Sequence, residues 1–190
     1  MKLPQGFSPE ERSQKAQALF KQGFNCTQSV ILAFADVLEA SGIADEKLLK
    51  IIGSGFGGGM GRLREVCGAF SGCTMMAGFI SPADVPADME ARKTNYAIVQ
   101  DFAEKFKAAN GGSIVCRELL GLDKSGQRET PMPSQRTAEY YKKRPCVQII
   151  GEAARIVAEK LIETKKKKKR NAQFRTFRLL YLGEMPDYIA

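Results

Sequence analysis

The chain has 190 residues, a formal net charge of +8, five cysteines and no histidine. The missing histidine excludes Ser-His-Asp and Cys-His nucleophile pairs, His-ligated zinc and His-ligated haem. The charge is uneven: residues 165–190 carry eight Lys/Arg against two Asp/Glu, and residues 1–164 carry 21 against 19, so the body is near neutral and shows no body-wide nucleic-acid signature.

In chain order, Ser8-Pro9-Glu10-Glu11 reads as a helix start, with Ser capping and Pro in the first position. This helix is expected to end near Gln22, before Gly23. Asn25 caps a second helix over about residues 26–40, with Val30, Phe34, Val37 and Leu38 inward. A third, about residues 45–52, offers Leu48, Leu49, Ile51 and Ile52 as its apolar side. Residues 53–61 then hold six glycines, which calls for an irregular turn that something approaches closely. Residues 66–80 carry no charge and are rich in Gly, Ala, Ser and Cys. They are too short to span a bilayer, which takes about 20 apolar residues, and suit a buried core helix whose Gly68 and Gly72 leave one face bare.

Pro82 and Pro86 break the chain before a long helix over about residues 87–109, with a stripe of Met89, Tyr96, Val99, Phe102, Ala103 and Phe106. Ser113 caps a short helix to Leu120, and residues 121–137 form a polar loop. A further turn or helix starts near Ser134. Pro145 opens a last helix to about Thr164, with Ile150, Ala153, Ala154, Val157 and Leu161 inward. No pair of strands is identifiable. The expected fold is all-α, a single-domain bundle of six to seven helices over residues 1–164, followed by a basic, disordered tail over 165–190. The first residues lack the apolar run of a secretory signal, so free thiols in a reducing cytoplasm are expected.

Four cysteines, Cys26, Cys67, Cys116 and Cys146, fall at the starts of expected helices. The positive end of a helix favours thiolate, which lowers the thiol pKa. Lys142, Lys143 and Arg144 push Cys146 the same way. Cys73 lies six positions after Cys67, off its face, and reads as a packing residue. No C-x-x-C occurs, so a shared site has to be assembled by the finished bundle; the plain alternative is four buried, inert thiols. Gly53-Ser54-Gly55-Phe56-Gly57-Gly58 satisfies G-x-G-x-x-G but lacks the βαβ setting of a dinucleotide site. Gly57, Gly58, Gly59, Gly61 and Gly68 instead suit close packing of backbone amides near Cys67 or a bound group. Arg62 and Arg64 read either as aids to an anionic ligand or as solvated surface charges.

Several pieces together resemble the C-GCAxxG-C-C family of redox-active proteins. They are Phe24-Asn25-Cys26-Thr27-Gln28-Ser29, Phe56-Gly57-Gly58-Gly59-Met60-Gly61-Arg62, Cys67-Gly68-Ala69-Phe70-Ser71-Gly72, Cys116 with Glu118-Leu119-Leu120-Gly121, and Cys146. The resemblance covers about residues 20–160. It implies that Cys26, Cys67, Cys116 and Cys146 are the signature cysteines, that Cys73 stands outside the set, and that the protein is redox-active. Thr27 departs from the family's usual Ala. The family is similar to the C-terminal part of split-Soret cytochromes, but no haem is carried over, because the chain has neither C-x-x-C-H nor any His.

The functional expectation is a four-cysteine redox site, working by thiol–disulfide exchange or through an iron–sulfur cluster or another thiophilic metal. A non-enzymatic metal carrier is the alternative. The redox partner is unspecified, and a homo-oligomer is compatible with the sequence. No transmembrane span is expected, although the lysine-rich tail, with Phe174, Phe177 and Tyr181 on one helix face, suits an anionic membrane surface.

Overall fold

The computed structural model describes residues 1–122 and 130–181, with side chains as far as Phe174. The middle of the expected polar loop, residues 123–129, and the tail from residue 182 onward lie outside the described residues, as do the side chains of Phe177 and Tyr181. Nine α-helices and an isolated 3-10 turn make up the described fold, which is all-α. The helices are α1 (Pro9–Lys21), α2 (Cys26–Leu32), α3 (Ala35–Ala40), α4 (Glu46–Ile52), α5 (Gly68–Ile80), α6 (Met89–Ala109), α7 (Cys116–Leu119), α8 (Ala138–Lys142) and α9 (Cys146–Tyr181).

Local chemistry sets most of these starts. The Ser8 hydroxyl accepts from the Glu11 N–H at α1, and Asp45 and Asp88 do the same for Leu48 and Ala91 at α4 and α6. At α2, Asn25 and Gln28 form a reciprocal capping box. α1 packs along α9, while α5 lies at the centre against α2, α6 and α9. The bare face of α5 explains the closeness of α2: a Cβ on Gly72 would come within 2.7 Å of Val30 Cβ. Phe20, Phe34, Phe102 and Phe106 are fully buried, each contributing about 1.5–3 kcal/mol of apolar burial.

Several boundaries differ from expectation. The second helix is broken at Ala33–Phe34 into α2 and α3, because Arg12 is buried there and its Nη1 donates to the Ala33 carbonyl at 2.6 Å. That guanidinium also pairs with both oxygens of Asp36 and stacks on Phe7. On α4 only Leu49 is buried, whereas Leu48 and Ile51 are exposed, since this short helix meets the body along one narrow edge. On α6, Phe102 and Phe106 face the core with Ile98, but Met89 and Tyr96 are exposed because the first turns of the helix extend beyond the core. Ser113 accepts from the Val115 N–H and so caps a turn, and α7 starts only at Cys116. α8 is capped by Thr137. Finally, α9 does not end near Thr164 but runs to Tyr181, and residues 165–174 are exposed along it. No helix among the described residues is long and apolar enough to cross a membrane.

Candidate functional site

Asn25 ties the start of α2 to the glycine stretch. Besides capping, its Nδ2 donates to the carbonyls of Gly53 and Ser54, each at 3.0 Å. Thr27, one residue beyond Cys26, donates from its hydroxyl to the Gly68 carbonyl at 2.7 Å. Gly68 has no room for a side chain: a Cβ there would lie 3.0 Å from Cys26 Cβ and 2.8 Å from the Phe56 carbonyl. These contacts place Cys26 beside the start of α5.

A second tie joins the segments before α5 and α7. Val66 and Val115 form an antiparallel bridge, with the Cys67 N–H donating to Ile114 at 2.8 Å and the Cys116 N–H donating to Glu65 at 2.6 Å. Cys67 and Cys116 are therefore set at neighbouring helix starts by backbone pairing. Pro145 opens α9 and brings in Cys146. The four thiols line one cavity of about 20 Å³, together with Ala69, Leu119, Leu120, Ile149 and Ile150. That is room for about one water, and the remaining lining residues are apolar.

The four are not equivalent. Cys26 and Cys146 are partly exposed, while Cys67 and Cys116 are each only 7% exposed. The Cys146 thiol, as hydrogen-bond donor, holds Cys26 below the usual thiol range against the opposing effect of burial; the Gly58 N–H and the charge of Arg136 help. Donating that hydrogen bond, together with burial, raises Cys146. Burial raises Cys67 to about 12, reinforced by Cys26 and opposed by the N–H groups of Ala69 and Phe70. Burial also raises Cys116, although Arg64 Nη1, 3.9 Å from its sulfur, opposes this. The expectation that helix starts lower all four is thus corrected: only Cys26 is lowered, because desolvation outweighs the helix field at Cys67 and Cys116, and Cys146 is the proton donor. The basic residues before Cys146 do not reverse its shift.

Cys73 does not line the cavity. Its sulfur lies fully buried, 3.5 Å from the Ala153 carbonyl on α9, and burial raises its pKa. The glycines divide. The Gly58 N–H favours thiolate at Cys26, and Gly59 packs on Cys116. Gly57 packs on Asn25. Gly61 has only the Gly55 carbonyl near its would-be Cβ, at 3.8 Å, and Arg62 reaches away to the Thr130 carbonyl at 2.9 Å. Residues 58–62 all have positive φ, as does Arg64, so Met60, Arg62 and Arg64 hold a conformation that costs a non-glycine residue about 1–2 kcal/mol. Sequence reasoning did not single out Arg136, which sits in the polar loop, nor the Val66–Val115 bridge. No motif marks either one.

The match to known families follows the same residues. The chain belongs to the C_GCAxxG_C_C family, described as "Putative redox-active protein", which matches residues 24–160. No curated protein and no solved structure matches it.

Proposed function

We propose that this protein carries out redox chemistry through its four-cysteine site, with Cys26 and Cys146 as the exchanging pair. What supports this reading is that Cys26 and Cys146 are the two partly exposed cysteines of a cavity lined by four thiols, with the Cys146 thiol favouring thiolate at Cys26. A thiolate attacks one sulfur of a disulfide, the S–S bond breaks, and the leaving thiolate takes the electron pair. Cys146 then gives up its proton, attacks the Cys26 sulfur and releases the second thiolate. The protein is left with a Cys26–Cys146 disulfide and the substrate is reduced by two electrons. Cys67 and Cys116 lie behind this pair, more deeply buried.

A second reading rests on the number of thiols. Four cysteines around one cavity form the donor set of a tetrahedral ion or an iron–sulfur cluster, and a cation would offset the burial that keeps three of them protonated. The arrangement itself fits less well, since among the described residues no three His, Cys, Asp or Glu side chains are placed to hold one ion. Such a group would supply one-electron transfer, or structural support in a carrier. Purification without oxygen, followed by iron, zinc and sulfide analysis and a thiol redox titration, separates the readings. A reversible two-electron couple lost in Cys26→Ser and Cys146→Ser supports exchange. Stoichiometric metal with inert thiols overturns it.

A further inference from the structure

Past the point where α9 leaves the core it carries six consecutive cations, Lys165 to Arg170. At about 100° per residue they point to every side of the helix. All six are exposed, and no Asp or Glu occurs between residues 164 and 181. Among the described residues the last ion pair along α9 is Lys160 with Glu163, so no carboxylate neutralises the run. Two open clefts flank its base. One, of about 550 Å³, lies between α6 and α9, with Ile80, Pro82 and Ile98 as its apolar floor and Lys167, Lys168 and Asn171 along α9. The other, of about 230 Å³, adds Met1, Leu3 and Phe79 and shares Lys168. Phe174 is 61% exposed. It lies three positions beyond Asn171 and seven beyond Lys167, and so continues the same helix face. Unneutralised charge and open apolar surface thus occur together at this end of the bundle.

We infer that this end of the molecule docks on an anionic lipid surface. Headgroup charge complements the cations, and each Lys or Arg near such a surface raises affinity about fivefold. Phe174 and the apolar cleft floor gain contact in the headgroup region, which the phosphate backbone of a nucleic acid does not offer. Docking is peripheral: no helix among the described residues is long and apolar enough to cross a membrane. Lys165 stands about 28 Å along α9 from Cys146, at about 1.5 Å per residue. The thiol cavity is therefore remote from the docking face, and the inference does not rest on the thiol-exchange reading.

The test is sedimentation of the full chain with vesicles of phosphatidylcholine, either alone or mixed equally with phosphatidylglycerol. We expect binding to the mixed vesicles at about 0.1 M salt, none to the neutral ones, and loss of binding at about 0.5 M. Lys167→Gln/Lys168→Gln/Lys169→Gln should lower the affinity about a hundredfold, and Phe174→Ser about tenfold. Gln keeps the helix propensity of Lys, circular dichroism checks the fold, and the salt arm needs no variant. A DNA duplex is the control polyanion. Absence of binding to the mixed vesicles, equal binding to the neutral ones, or an unchanged affinity in the lysine variant overturns the inference. A duplex bound more tightly than the mixed vesicles, with Phe174→Ser silent, also overturns it and makes the run a general polyanion binder.

Discussion

Gly59 and Cys116 stand so close that a Cβ on the glycine would come within 2.7 Å of the cysteine Cβ. The Glu65 nitrogen and the Arg64 carbonyl carbon lie at 2.9 and 3.0 Å from the same point, and Gly59 has φ +72. Backbone on two sides leaves nowhere to yield. Gly59→Ala should therefore destabilise the fold by about 1–3 kcal/mol, read from urea denaturation, and should shift the reactivity of Cys116. Gly55 has nothing within 4 Å of its would-be Cβ, so Gly55→Ala should be nearly silent. Equal effects of the two substitutions would show that the glycine turn does not press on the thiol.

The pairing of Cys26 with Cys146 sets a pH dependence. With Cys26 held below the usual thiol range by the Cys146 thiol, its alkylation by iodoacetamide should rise with pH and level off at a lower pH than that of an ordinary thiol, about 8.5. Cys146→Ala removes the donor, so burial should push Cys26 upward and slow its alkylation at neutral pH. Peptide mapping by mass spectrometry assigns the modified cysteine. An unchanged profile in Cys146→Ala would remove the pairing.

Asp36 should contribute to acid stability. Burial pushes its carboxyl up, but the hydrogen bonds and charge of Arg12, with help from Lys15, win and hold it at about 2. A folded-state value below the unfolded one, about 3.9, adds stability that is present above about pH 4 and fades as pH falls towards 2. Urea midpoints between pH 6 and 2 should drop along this course, and Asp36→Asn should flatten that part of the curve. An identical slope in the variant would assign the acid sensitivity elsewhere.

The alkaline limb runs the other way. Burial raises Cys73, so its neutral form stabilises the fold below the unfolded thiol value of about 8.5, and this is lost as pH rises further. Cys73→Ala should soften the alkaline decline in stability. At neutral pH it should cost on the order of 1 kcal/mol for lost packing and leave thiol exchange intact. Loss of exchange in Cys73→Ala would place that sulfur in the working site.

Burial along α9 stops at Leu161, and residues 165–174 are exposed. A chain ended after Thr164 should keep its cooperative thermal unfolding, followed by circular dichroism. Broad, non-cooperative melting would show that the lysine-rich turns hold the bundle together.

The helices were legible where the chain states them locally. Ser8-Pro9, Asn25 with Gln28, and the uncharged run after Val66 announce α1, α2 and α5 through capping and patterning. The break at Ala33–Phe34 was not legible, because its cause is Arg12, an apparently ordinary charge on α1 that turns inward to take the Ala33 carbonyl. The site divides in the same way. The cysteines and glycines were visible as residue types, but the thiol ionisation was not. Helix position argues for thiolate at all four, whereas burial depth and the choice of donor between Cys26 and Cys146 depend on tertiary packing.

Cys146 opens the last helix, 120 residues after Cys26, with which it shares the cavity. On the ribosome, the first three of these thiols emerge well before the fourth. During that interval Cys26 lacks the donor that favours its thiolate, and the cavity has no wall from Ile149 and Ile150. The thiolate preference at Cys26 is thus a property of the finished bundle and arises only when α9 docks.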